Sequence, residues 1–327
     1  MYFDVVFLDI SSNKYYDRTT LEKEALGGSE ASVVRTAEGL GSLGLKVAVI
    51  ESRCSYFEPL VGQFCYFIHA DDAPGITCRH YVQIRCNNHP EIFKGARKYM
   101  WLHDVCKPQD QEAINSLINN NIKVIGVSRW HRNNILECYP GFENVSYIYN
   151  PVQDELYQDP NKPVEYDRNM MVWPASPHKG LKHALTLFKR VQESNPKMQL
   201  AIFNPGYKEL DGIALSIMPG VMVYGPNPCK SVWQVVRNSL CVFYPTEWKE
   251  TFGLVAAEAN AIGTPLITSP LAALKEVVSS EVQFANSDDE VVAKAIDWSK
   301  NGRPLTVGQD DFKFSEVLLK WVRLLAN

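Results

Sequence analysis

The chain has 327 residues, which is about the length of two average domains. It contains 33 Lys and Arg residues and 37 Asp and Glu residues, so its formal net charge is −4. This mild acidic excess argues against nucleic acid as the main partner, because proteins that bind nucleic acid usually carry surplus positive charge. The hydrophobic fraction of 46% is typical of a globular protein with a sizeable core.

The sequence shows no segment typical of membrane insertion or export. The longest apolar candidate, residues 253–274, is interrupted by polar residues and prolines, so it falls short of the roughly 18 residues of a transmembrane helix. Asp4 and Asp9 interrupt the apolar start of the chain, which argues against a signal peptide. The eight cysteines form no CxxC pair, and we expect reduced thiols in a cytoplasmic protein.

Strand-like and helix-like patterns alternate along the first half of the chain. An apolar run at residues 5–9 predicts a strand, residues 10–28 a loop, and residues 30–43 a helix with apolar positions at helical spacing. Further strands are predicted at 46–50, 81–85, 99–103, 124–127 and 147–149, and further helices at 109–118 and 129–136.

Residues 150–168 contain three prolines and lack periodicity, so we predict the connection between two domains there. The alternation then resumes, with strands predicted at 170–173, 199–203, 222–224, 241–244 and 265–268, and helices at 179–193, 230–238, 253–261, 289–299 and 314–325. Such alternation predicts an α/β protein with a doubly wound, Rossmann-like parallel sheet in each domain. Ligands of these sheets bind beyond the carboxyl ends of the strands, and the cleft between the domains is the expected site.

Residues 39–44 match the G-x-G-x-x-G pattern of dinucleotide-binding proteins. That motif normally follows a strand and begins a helix, so that amides at the helix N-terminus face the pyrophosphate. Here the glycines come at the end of a predicted helix and before a strand. We interpret them as helix terminators and keep a nicotinamide enzyme as a minor alternative.

The most informative segment is residues 244–267. It predicts a strand end at Tyr244, a polar turn, and a helix that begins near Gly253. The amides of the first helical turn lack partners and favour a diphosphate. Glu250, just before the helix, suits a hydroxyl-rich group, and Glu258, about two turns further along, suits a ribose.

This segment resembles the Glu-x7-Glu signature of retaining glycosyltransferases of the GT-B fold, glycosyltransferase family 4. The matching residues are Glu250, Phe252-Gly253-Leu254, Glu258-Ala259, Ala261 and Gly263-Thr264-Pro265. The resemblance implies two doubly wound domains that face each other across a cleft. Residues 1–152 then form the acceptor-side domain, residues 153–310 bind the nucleotide sugar, and the last helix, in residues 311–327, crosses back to the first domain.

Three further segments are similar to landmarks of the family. Gly27-Gly28-Ser29-Glu30 resembles the glycine loop that approaches the diphosphate, and Ser29 is expected to cap the helix. His103, at a predicted strand end, is similar to the family's histidine near the donor sugar. Ala175-Ser176-Pro177-His178-Lys179 resembles the phosphate-binding turn, with Lys179 as the cation. The family's Gly-Arg is replaced by Pro174-Ala175, and Lys249 and Lys182 are candidate substitutes.

The resemblance implies a set of site residues and no metal. The catalytic residues are Glu250, His103 and Lys179, and the donor-binding residues are Gly28, Ser176, Lys179, Thr251, Phe252, Gly253, Leu254 and Glu258. The sequence contains no Asp-x-Asp, HExxH or paired Cys/His motif, so we expect no metal and no cofactor besides the nucleotide sugar as co-substrate.

The implied activity is metal-independent transfer of a hexosyl or similar group, with retained configuration, from a nucleotide diphosphate sugar to an acceptor hydroxyl. The acceptor is a glycan, a lipid or a small molecule. A sugar epimerase or phosphorylase of the same fold, and a catalytically silent protein that binds nucleotide sugars, remain alternatives. Basic residues at 94, 97 and 98 lie beside Tyr99 and Trp101, which leaves either a peripheral membrane contact or a solvated surface.

Overall fold

The computed structural model describes residues 1–12, 14–52, 64–85, 93–159, 164–206 and 218–326. The chain divides into two compact units. Unit 1 comprises Met1–Thr19, Gly28–Pro151 and Phe314–Asn327. Unit 2 comprises Thr20–Gly27 and Val152–Lys313.

Unit 1 is built on a parallel sheet whose described strands follow the order β3-β2-β1-β4-β5-β6-β7. The strands are β1 (Tyr2–Asp9), β2 (Val47–Glu51), β3 (Cys65–His69), β4 (Thr77–Ile84), β5 (Arg97–Trp101), β6 (Ile122–Gly126) and β7 (Val145–Tyr147). Residues 5–8 of the internal strand β1 are all buried. A continuous apolar run of this kind is expected when helices cover both faces of a parallel sheet.

The helices in this part of the chain are α1 (Arg18–Lys23), α2 (Gly28–Ser42), α3 (Gln111–Asn119) and α4 (Arg129–Cys138). Two of them begin at side-chain caps. The Asp110 side chain accepts a hydrogen bond from the Ala113 amide, and the Ser128 side chain accepts one from the His131 amide. These caps pair amides that have no partner within the helix, which is why α3 and α4 begin where they do.

Unit 2 has a parallel sheet of described strands in the order β10-β9-β8-β11-β12. The strands are β8 (Asp167–Trp173), β9 (Gln199–Phe203), β10 (Val221–Tyr224), β11 (Ser239–Tyr244) and β12 (Leu266–Thr268). The helices are α5 (Leu181–Ser194), α6 (Cys229–Arg237), α7 (Leu254–Ile262), α8 (Leu274–Val277) and α9 (Asp288–Asn301). Since β8 and β11 are neighbours, the turns that follow them lie side by side at the carboxyl edge of the sheet. The two sheets confirm the predicted pair of doubly wound α/β units.

The final helix, α10 (Phe314–Ala326), belongs to unit 1. Its Trp321 is fully buried, and its ring centroid lies 5.8 Å from that of Phe7 and 4.8 Å from that of Trp101. Trp101 is the last residue of β5. The helix therefore packs beneath the strand end that leads to His103.

The glycine motif at residues 39–44 has a packing role that corrects our interpretation of it as a helix terminator. Gly39 and Gly41 lie inside α2, and a Cβ atom at Gly39 would come within 2.6 Å of the Phe314 ring in α10. A Cβ atom at Gly41 would come within 3.2 Å of Cys65. Only Gly44, which has φ of 89°, ends the helix in the expected way.

Three short elements of the structure are missing from the sequence prediction. Helix α1 has six residues and interrupts the predicted loop at 10–28, strand β3 has five residues, and helix α8 has four. All three are too short to produce a clear periodic signal in a window of about 11–18 residues.

Of the described helices, none is long and apolar enough to cross a membrane. Tyr99 and Trp101, which the sequence placed beside a basic surface, are 6% and 0% exposed. These two aromatic side chains are therefore core residues and would not take part in a membrane contact of the basic stretch.

The cysteines in the described ranges, at positions 65, 78, 106, 138, 229 and 241, are free thiols. Cys54 and Cys86 fall outside those ranges.

Candidate functional site

The site in unit 2 begins where β11 ends and α7 starts. Gly253 precedes the helix with φ of 89°, and a Cβ atom there would come within 2.8 Å of Leu274. Both the left-handed backbone and the close approach favour glycine at this position. The N-cap residue Gly253 has no side chain that could pair the first amides of α7, and the positive end of the helix dipole lies at this end.

Glu250 lies in the loop that leads to this helix and is 7% exposed. Its Oε1 atom accepts a hydrogen bond of 2.7 Å from the Lys179 ammonium and one of 2.6 Å from the Tyr244 hydroxyl. The Ala273 amide donates to the Glu250 carbonyl, which fixes the backbone as well. Among the described residues no donor lies at Oε2. The carboxylate is therefore held through Oε1, and Oε2 is left for contact with a ligand.

Lys179 comes from the turn after β8, so the adjacency of β8 and β11 brings it to Glu250. The turn Pro177–Lys179 is a single 3-10 turn that ends at Gly180, whose φ of 113° suits glycine. The Thr246 hydroxyl donates to the Lys179 carbonyl over 2.6 Å and ties the two turns together. The ammonium that the sequence assigned to a diphosphate thus makes an ion pair with Glu250.

Ser176 and His178 form the other side of this turn. Ser176 is fully buried, and its hydroxyl lies 2.9 Å from His178 Nδ1. The His178 ring packs edge-on against Trp248 at 4.8 Å, and Trp248 is 44% exposed. The turns after β8 and β11 therefore also share an aromatic contact, which sequence analysis did not predict.

Glu258 is the fifth residue of α7, so it lies one turn into the helix rather than two. Its Oε2 atom accepts a 2.9 Å hydrogen bond from the Trp233 indole of α6. Trp233 was missed by the sequence analysis, because 25 residues separate it from its partner and α6 carries no recognised motif.

The neighbours of Gly253 differ in what they can offer a ligand. Phe252 is 1% exposed and its ring packs edge-on against Phe312, so its side chain belongs to the core of unit 2. Only the backbone of Phe252 is therefore left to contact a nucleotide sugar. Thr251 and Leu254 are half-buried beside the helix start.

The two candidate substitutes for the missing Gly-Arg are exposed residues of unit 2. Pro174 is half-buried and Ala175 buried at the start of the turn. Lys182 and Lys249, the candidate substitutes, are both exposed. In the described ranges no group of three or more His, Cys, Asp or Glu side chains is arranged to hold a metal ion.

The sequence-predicted site residues of unit 1 are Gly28 and His103. Gly28 is the first residue of α2, and its carbonyl accepts a hydrogen bond from the Ser32 hydroxyl. Ser29 lies inside the first turn of α2, so the expectation that it caps the helix from outside is wrong.

His103 is 6% exposed, and its ring lies 4.5 Å from that of Trp101. Burial lowers the pKa of His103 well below its usual value, and electrostatic interactions with Arg85 and then with His131 lower it further. The imidazole is therefore neutral at physiological pH. A neutral imidazole can hydrogen-bond a sugar hydroxyl but adds no positive charge.

Comparison with known proteins follows the same division of the chain. Residues 152–307, nearly all of unit 2, match the family model "Glycosyl transferases group 1". No curated protein sequence matches the chain.

Several solved structures are similar over almost the full length. AviGT4, a glycosyltransferase involved in avilamycin A biosynthesis, is 18% identical, with 99% of this chain and 98% of that chain covered and a TM-score of 0.70. HepE of Anabaena, in complex with UDP and glucose, is 14% identical, with 99% of each chain covered and a TM-score of 0.67. A glycosyltransferase from Rickettsia africae ESF-5 is 13% identical, with 99% and 97% covered and a TM-score of 0.70. At these identities the likeness establishes the fold, which is GT-B.

Proposed function

Since residues 152–307 match the group 1 glycosyl transferases and the fold is GT-B, we propose that this protein is a retaining glycosyltransferase. It transfers a sugar from a nucleotide diphosphate sugar to the hydroxyl group of an acceptor. The observation that carries the proposal is Glu250, a nearly buried carboxylate fixed through Oε1 beside the start of α7. The complex of HepE with UDP and glucose supports a nucleotide sugar as the donor.

The proposed chemistry is mainly electrostatic. The bond between the anomeric carbon and the diphosphate breaks with its electron pair on the diphosphate. The acceptor oxygen bonds the anomeric carbon from the same face, and its proton passes to the departing diphosphate. Negative charge then grows on the diphosphate and positive character on the sugar, and preorganised dipoles and charges lower the barrier.

The residues divide these tasks. The amides at the start of α7 bind the diphosphate. Glu250 Oε2 orients sugar hydroxyls and stabilises positive character on the sugar, and Glu258 binds the ribose. Lys179 holds Glu250 in place and adds positive charge near the leaving group.

The first test is thermal unfolding with UDP-glucose, GDP-mannose and ADP-glucose, each with and without EDTA. A donor at 100 times its dissociation constant stabilises the folded protein by about 2.7 kcal/mol. We expect one nucleotide to raise the melting temperature and EDTA to leave that shift unchanged. Loss of the shift in EDTA would contradict metal independence.

Glu250→Gln should lower turnover about a hundredfold, because it removes the negative charge that the reacting sugar requires. The matched control is Glu247→Gln, an exposed carboxylate in the same loop, which should leave turnover unchanged. The measurement is release of nucleoside diphosphate together with the anomeric configuration of the product. Full turnover in Glu250→Gln would exclude the assigned role.

The same assay separates the alternatives. A sugar epimerase would return an altered nucleotide sugar, and a phosphorylase would require inorganic phosphate. A silent binding protein would shift the melting temperature without releasing nucleoside diphosphate.

A further inference from the structure

Arg85 follows β4 directly and has φ of 65°, a left-handed conformation that few residues other than glycine adopt. Its amide donates to the carbonyl of Trp101 at the end of the neighbouring strand β5. Backbone strain of this kind persists when side-chain contacts hold it, and it concentrates at functional sites. The contacts of the Arg85 side chain therefore indicate what the strain supports.

The guanidinium of Arg85 meets three carboxylates from three different elements. Arg85 Nη2 lies 2.7 Å from Glu30 Oε1, Nε lies 3.6 Å from Asp104 Oδ2, and Nη1 lies 3.7 Å from Asp9 Oδ2. The Arg85 side chain is only 18% exposed, and that of Asp9 is fully buried. A planar guanidinium has donors in several directions and can serve all three acids at once.

Two of these carboxylates belong to segments that carry proposed site residues. Glu30 is in the first turn of α2, which begins at Gly28. Asp104 directly follows His103. Asp9, at the end of β1, supplies a fixed point in the core of the sheet, since its carboxylate also accepts the Tyr16 hydroxyl at 2.9 Å.

Arg85 also acts on the charge state of His103. The pKa of His103 is lowered first by burial and then by the positive charge of Arg85, with a smaller contribution from His131. The ring of Trp101 packs against the imidazole of His103. The adjacent carboxylate of Asp104 is largely exposed and paired with Arg85.

We propose that Arg85 is a positioning residue that holds the start of α2 and the His103 segment in one fixed arrangement at the carboxyl edge of the unit 1 sheet. The proposal rests on the proposed function, because the arrangement matters for turnover only if Gly28 and His103 take part in sugar transfer.

The experiment compares Arg85→Met and Arg85→Lys with the matched control Arg18→Met. Arg18 also pairs with a glutamate in unit 1, Glu38, at 3.9 Å, and both side chains are partly exposed. We expect Arg85→Met to lower kcat for release of nucleoside diphosphate about tenfold or more, because misplaced groups lose transition-state contacts. Arg85→Lys should recover part of this loss, and Arg18→Met should match the wild type. The assay uses whichever nucleotide sugar of the UDP-glucose, GDP-mannose and ADP-glucose panel raises the melting temperature.

A second measurement needs no donor. The titration of the His103 ring is followed by NMR in the unliganded protein, with the resonance assigned through His103→Gln. Removing the Arg85 charge should raise the pKa of His103 in Arg85→Met and leave it unchanged in Arg18→Met.

The two measurements separate the failure of each idea. If the wild type turns over no nucleotide sugar, the proposed function fails, while the His103 titration still tests whether Arg85 controls this segment. Wild-type kcat in Arg85→Met, or an unmoved His103 titration in that variant, would overturn the role of Arg85. A loss of kcat that follows only a lowered melting temperature and is not relieved by lysine would overturn it as well.

Discussion

The Tyr244 hydroxyl donates a hydrogen bond to Glu250, and the Tyr244 ring is buried against Trp173, with 5.0 Å between the two ring centroids. Tyr244→Phe removes this one hydrogen bond and keeps the ring. A hydrogen bond to a charged group contributes about 1.5–3 kcal/mol. Since Glu250 then has greater freedom, we expect kcat to fall about tenfold or more, with little change in KM for the donor.

The matched control for this prediction is Tyr157→Phe. The Tyr157 hydroxyl donates to the Gln309 carbonyl over 2.8 Å, in unit 2 but in a contact outside the residues assigned to the donor. Steady-state kinetics and melting temperatures of both variants give the comparison. Equal effects on kcat would show that the Tyr244 hydroxyl has no special relation to Glu250.

At the scale of elements, the packing of α2 against α10 depends on Gly39. Gly39→Ala places a methyl group 2.6 Å from the Phe314 ring and 3.0 Å from the Leu318 side chain. Overpacking of this kind costs about 1–3 kcal/mol, so we expect the free energy of unfolding to fall by that amount.

Chemical denaturation measures this loss, and Gly225→Ala is the control. A methyl group added at Gly225 would have nothing within 4 Å of it, and the φ of this residue is not positive. That variant should stay within about 0.5 kcal/mol of the wild type. If the glycines instead bound a nicotinamide cofactor, NAD would raise the melting temperature of the wild type, and Gly39→Ala would abolish the shift.

For the whole molecule, buried histidines predict how stability depends on pH. Burial lowers the pKa of His131 to about 4, and burial together with Arg79 and Arg97 lowers that of His80 to about 4. In the unfolded chain these histidines titrate near pH 6.5, so between about pH 6.5 and pH 4 the unfolded chain binds more protons than the folded protein. The stability that these two histidines contribute is therefore fully present above about pH 6.5 and is lost as the pH falls toward 4.

Melting temperatures between about pH 7 and pH 4.5 test this dependence. His131 is fully buried, and its two ring nitrogens lie 3.2 Å from the Val127 amide and 2.9 Å from the Asp104 carbonyl. His131→Gln should be less stable at pH 7 but should lose less on acidification. An identical pH profile in the variant would show that His131 does not titrate on unfolding.

The fold was largely predictable from sequence because its signals are local. The strand at residues 199–203 and the start of the last helix at residue 314 were predicted where the structure has them. Apolar runs of strand length and apolar spacing of helical period arise from neighbouring residues, so they survive without tertiary information. Short elements such as α1 and β3 lack enough residues for such a signal and were missed.

The candidate site was predictable only in part, for the same reason. The spacing of Glu250 and Glu258 and the glycine before α7 are local features, and the sequence contains them directly. The partner of Glu250 is Lys179, 71 residues away, and Trp233 reaches Glu258 from another helix. Nothing in a local pattern specifies such pairs.

By itself, the sequence determined an α/β architecture of two parallel sheets and a loop-helix segment suited to a diphosphate sugar. Only the tertiary structure decided which side chains meet at the carboxyl edges of those sheets. Strand order sets these meetings: β8 beside β11 brings Lys179 to Glu250, and β4 between β1 and β5 brings Arg85 to Asp9 and Asp104. The physical reason is that periodicity is a property of adjacent residues, whereas an ion pair forms between groups that folding brings together from distant parts of the chain.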